Sequence, residues 1–78
     1  MPTVFRDGPY RFFFFSADGH EPPHVHIERD QNVAKFWLDP VRLAESGGFG
    51  AHELRILETR VRDQRERLLK AWDEFFAD

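Results

Sequence analysis

The apolar residues of this chain change period part-way along it, and that change constrains the fold more than any single motif. Up to Leu38 they sit in short runs bounded by turn residues, and His24-Val25-His26-Ile27-Glu28 alternates polar and apolar with period two. Beyond Gly50, the residues Leu54, Leu57, Val61, Leu68, Trp72, Phe75 and Phe76 fall on one stripe at spacings of three, four and seven. A chain of 78 residues is one domain. The pattern predicts an α+β fold in which an antiparallel sheet of about four strands, within residues 1–39, packs on a helical part, residues 40–78.

Turn chemistry marks the elements. Thr3 to Arg6 and Tyr10 to Ser16 read as strands across Asp7-Gly8-Pro9, and Ala17-Asp18-Gly19 reads as the next turn. Prolines 22 and 23 hold the preceding residues extended, so a third strand starts only after Pro23. Asn32 to Leu38 matches it across Arg29-Asp30-Gln31 as a hairpin. Asp39 as N-cap, Pro40 at the first helical position and Gly47-Gly48 as a left-handed stop predict a short helix over 40–46. With Gly50 as the next cap, flanked by Phe49 and Leu54, a long amphipathic helix runs from Ala51 to about Phe76. At 1.5 Å per residue that helix is roughly 39 Å long, enough to overhang a small sheet. Glu58 with Arg62, Asp63 with Arg67 and Glu66 with Lys70 are acid-first pairs four apart, which mark its solvated face.

A small domain must bury its apolar residues efficiently, and 41% hydrophobic content with nine Phe and two Trp supplies the area. With no cysteine, disulfides, thiolate metal sites and thiol nucleophiles are excluded, and any metal rests on nitrogen and oxygen ligands. The net charge is −3, with four Lys/Arg against six Asp/Glu in residues 1–39 and seven against eight in 40–78. Neither half is a basic arm, which disfavours binding of long nucleic acid. The longest apolar run, Phe12 to Phe15, is far too short to span a bilayer, and the N-terminus has no leader pattern. The chain reads as soluble and cytoplasmic.

Alternation across the pleat gives the sheet two different faces. Val25 and Ile27 point to the helix, and an odd-sum hairpin register adds Ala34, Phe36 and Leu38 to that side. His24, His26 and Glu28 then share the far face with Val33, Lys35 and Trp37. Phe12 and Phe14 lie on one side of the second strand, Phe13 and Phe15 on the other. One helix covers one face, so a far face with Phe13, Phe15, Trp37, Arg11 and Lys35 is expected to be a binding surface for a protein partner or a second copy.

Three of the four histidines, His20, His24 and His26, lie within seven residues. His24 and His26 project from one strand face about 7 Å apart, a spacing from which both imidazoles reach one ion, with Glu28 next on the face and His20 as a further ligand. Zn²⁺ or another divalent metal is the ion this donor set suits. His52, near the helix start, is a distant fourth candidate. Metal-free acid–base catalysis by His24 and His26 is the second reading, with Arg11, Arg29 or Lys35 stabilising charge on a phosphate. Ordinary half-exposed strand histidines are the third. Gly47-Gly48-Phe49-Gly50 lacks the Lys-Ser/Thr ending of a phosphate loop and reads as a helix stop and start.

The stretches Met1-Pro2-Thr3-Val4-Phe5-Arg6, Gly8-Pro9-Tyr10-Arg11-Phe12-Phe13-Phe14, Glu21-Pro22-Pro23-His24-Val25-His26-Ile27-Glu28 and Ala34-Lys35-Phe36-Trp37-Leu38-Asp39-Pro40 resemble the bacterial family called domain of unknown function 4160. The likeness covers nearly the whole chain and is most specific in Glu21-Pro22-Pro23-His24-Val25-His26. It implies a small prokaryotic protein, often encoded beside a protein of the domain of unknown function 2442 family in arrangements like toxin–antitoxin modules. It supplies no activity. Two functions are therefore expected from different classes: an interaction component of such a two-protein module, or a small ribonuclease-like or metal-dependent enzyme built on His24 and His26.

Overall fold

The computed structural model describes residues 3–77. Five strands, β1 (Thr3–Asp7), β2 (Tyr10–Phe13), β3 (His24–Arg29), β4 (Asn32–Leu38) and β5 (Val41–Glu45), pair antiparallel in chain order, and the helices α1 (Ala51–Asp63) and α2 (Arg65–Phe75) follow. The α+β order is as expected, with three departures. The second strand ends at Phe13, and a 3-10 turn over Ser16–His20 leads into β3.

The segment expected as a short helix over 40–46 is the fifth strand. Asp39 and Pro40 form the turn that pairs Leu38 with Val41. Without β5 the outer edge of β4 would present a row of unpaired backbone groups, and pairing it outweighs the helix-start chemistry of Asp39-Pro40. Gly47 then carries the chain back with φ of +60°, and a Cβ there would lie 1.7 Å from the Val33 carbonyl oxygen, so only glycine passes.

The long helix is broken. Gln64, at φ −104° and ψ 11°, separates α1 from α2. Arg65, just beyond the break, donates from Nε to the Leu38 carbonyl at 2.8 Å and from Nη2 to Asp39 Oδ1 at 2.8 Å. These bonds tie the start of α2 to the β4–β5 turn.

The faces follow the alternation. The β3–β4 pairs Val25↔Phe36 and Ile27↔Ala34 have the odd sum, with a two-residue turn at Asp30-Gln31. Phe12, Val25, Ile27, Ala34 and Leu38 are fully enclosed with Leu57, Val61 and Leu68 from the helices, and Leu54 and Phe76 pack half-buried against them. Phe75 departs from the stripe and stays exposed. Glu53 anchors α1 to the sheet: Tyr10 Oη donates to it at 2.7 Å, and Arg29 forks onto it at 2.7 and 2.9 Å. Of the three surface pairs, Glu58 with Arg62 closes at 3.1 Å, whereas the Arg67 guanidinium lies over the Phe5 ring at 4.2 Å. No helix among the described residues is long and apolar enough to cross a membrane.

Candidate metal centre

The centre starts with the pleat of β3. His24 and His26 lie on the face opposite Val25 and Ile27, with Trp37 and Lys35 as their cross-strand partners on β4 and Phe13 beside His26 on β2. The 3-10 turn then folds over this face. It is pinned by a reciprocal pair of bonds: the Phe15 N–H donates to Asp18 Oδ2 at 2.9 Å, and the Asp18 N–H donates to the Phe15 carbonyl at 3.0 Å. That box aims the Asp18 carboxylate at the histidines, with Oδ2 at 3.1 Å from His24 Nε2 and 3.2 Å from His26 Nε2. One ligand atom from each of Asp18, His24 and His26 lies within 4.8 Å of the others.

The proton inventory is short of one partner. His24 Nδ1 sits 2.9 Å from the Pro22 carbonyl oxygen, which only accepts, so Nδ1 carries a proton toward it. His24 is fully buried, and its Nε2 has no hydrogen-bond partner. Asp18 Oδ2, 3.1 Å away, lies off the direction in which Nε2 points, so this close approach is not a hydrogen bond. His26 differs, since its Nε2–H is free to donate to Asp18. Burial lowers the His26 imidazolium below its ordinary 6.5, outweighing the opposing pull of Asp18, and His24 beside it acts in the same direction as burial. The ring is thereby kept in the neutral form that ligates metals.

The other expected ligands are elsewhere. His20 has a side chain 76% exposed, with its nearest acid Glu21 at 4.0 Å. Glu28 is held by Arg11 at 2.9 Å. His52 is exposed on the first turn of α1. Asp18 was legible only as a turn residue.

The far face is also not the open aromatic surface expected. Phe13 is 1% exposed beneath the Arg11 guanidinium, 4.1 Å from its ring centre, and stacks on His26 at 5.4 Å. Lys35 covers Trp37 at 4.5 Å and pairs with Glu21 at 2.8 Å. Each cation lies beside its ring in the sheet and shields it from water, its charge met by a carboxylate, Glu28 for Arg11 and Glu21 for Lys35. Phe15, edge-on to His26 at 4.6 Å, is the aromatic of this face left substantially exposed.

A family model described as Domain of unknown function (DUF4160) matches residues 10–73. No curated protein and no solved structure matches the chain.

Proposed function

Since the chain belongs to the DUF4160 family, whose function is unknown, its activity has to be read from its own residues, and we propose that it binds a divalent ion, Zn²⁺ first, through Asp18, His24 and His26. The observation that carries this is the buried, unpartnered Nε2 of His24, 3.1 Å from the Asp18 carboxylate with no hydrogen bond between them. A buried nitrogen without a partner costs roughly 1–3 kcal/mol, and a cation shared with Asp18 and His26 removes the deficit. Two of the ligand separations, 3.1 and 3.2 Å, support it: ligands about 2.1 Å from one tetrahedral ion lie roughly 3.4 Å from one another. Two nitrogens and one carboxylate suit Zn²⁺, and also Fe²⁺.

Three protein ligands leave a fourth position for water. An ion held there would supply a water acidified toward neutral pH, the nucleophile of metal-assisted hydrolysis, which supports the enzyme reading over metal-free catalysis. The test is binding. Purified protein should take up one equivalent of Zn²⁺, and at a hundredfold excess over Kd the gain of about 2.7 kcal/mol should raise Tm by roughly 10–20 °C. No uptake and no shift would remove the reading.

The second reading, an interaction component of a two-protein toxin–antitoxin-like module in the cytoplasm, is supported by Phe15, exposed at the rim of the same face. Co-expression with a protein of the domain of unknown function 2442 family tests it. Elution of the two as separate species would count against it.

A further inference from the structure

We infer that the last turn of α2 belongs to the metal centre, with Trp72 and Phe76 as positioning residues, so that ion binding and docking of this turn are coupled. This rests on the metal reading above and adds a part the ligands alone do not require.

Three contacts carry it. The His24 ring, whose face of the sheet is opposite the helices, still lies 5.1 Å from the Trp72 ring. Trp72 and Phe76 pack tilted, with ring centres 4.2 Å apart, and Phe14 packs edge-on against Trp72 at 5.2 Å. Phe76 then closes on the turn that carries Asp18: a Cβ built on Gly19 would sit 2.7 Å from Cδ1 of Phe76. One end of α2 thus touches a ligand from β3 and the residue next to the ligand from the 3-10 turn. The 3-10 turn is short, and among the described residues its side-chain bond to the strands is the one between Asp18 and His26.

The last turn of α2 lies beyond the enclosed Leu68, so it can fray and redock while the rest of the helix stays in the core. With that turn docked, His24 and Asp18 are held at ligand distance before the ion arrives. With it frayed, the turn that bears Asp18 loses its wall. By linkage, whatever the docked turn adds to ion affinity, the ion adds to docking.

The experiment pairs Zn²⁺ titration with amide hydrogen exchange on the full chain. Zn²⁺ should slow exchange in residues 70–76 as well as in 16–26. Phe76→Ala should weaken Zn²⁺ at least tenfold, whereas Leu54→Ala, a truncation on α1 away from the site, should leave Kd within about twofold. Gly19→Ala should weaken Zn²⁺ in the wild type, where it displaces Phe76, and should have little further effect in Phe76→Ala. Zn²⁺ binding with unchanged exchange in 70–76, or equal Kd in wild type and Phe76→Ala, would overturn the coupling and leave the metal site standing. No Zn²⁺ binding by the wild type would overturn both.

Discussion

His24 Nε2 and Asp18 Oδ2 lie 3.1 Å apart with no hydrogen bond between them. The Pro22 carbonyl accepts the Nδ1–H of the same ring at 2.9 Å, which fixes the orientation of a buried ring two residues along. Metal-ligating histidines are commonly oriented this way, with one nitrogen donating to a carbonyl and the other presented to the ion.

The ligand set divides the acids and histidines sharply. Asp18→Asn should reduce Zn²⁺ affinity by at least a hundredfold, whereas His20→Ala and Glu28→Ala should leave it within about threefold. Isothermal titration of the three variants checks this. Strong loss in His20→Ala would restore the exposed histidine to the site.

The helix faces predict opposite outcomes for two neighbouring substitutions. Leu68→Asp puts an unpaired charge where the side chain is fully enclosed, and should cost more than about 4 kcal/mol, enough to unfold a domain of this size. Arg62→Ala removes one exposed pair and should change stability by less than about 0.5 kcal/mol. Urea melts followed by circular dichroism decide between them.

Arg29 first, then Tyr10, hold the Glu53 carboxyl below its ordinary 4.5. As pH falls through 4.5 the unfolded chain takes up this proton before the folded one, so the stability Glu53 contributes is present above that value and lost below it. Wild-type Tm should therefore fall more steeply than that of Glu53→Gln between about pH 5 and pH 3. Parallel curves would mean that the Arg29 fork does not survive in solution.

Much of the site was legible because it depends on parity. Once Val25 and Ile27 are assigned to the core, His24 and His26 must share the other face, and the odd-sum register places Trp37 and Lys35 beside them. Asp18 was not legible, because an Asp before Gly reads as turn chemistry, and its approach to the histidines depends on a fold-over walled by Phe76. Gln64 is a good helix former with no local breaker, so the bend is set by what Arg65 bonds to. Asp39-Pro40 serves equally as a helix start and a hairpin turn, and the open edge of β4 decides. The covering of Phe13 and Trp37 required knowing which cation neighbours which ring.

The most direct measurement is metal content in protein purified without chelators and then titrated with Zn²⁺, for the wild type and for His24→Gln. Glutamine is the better replacement, because His24 is fully enclosed and alanine would leave a cavity. The wild type should hold one equivalent of Zn²⁺ and gain melting temperature with it, and folded His24→Gln should hold almost none. A wild type that binds no divalent metal, or a His24→Gln variant that binds as tightly as the wild type, would contradict the account.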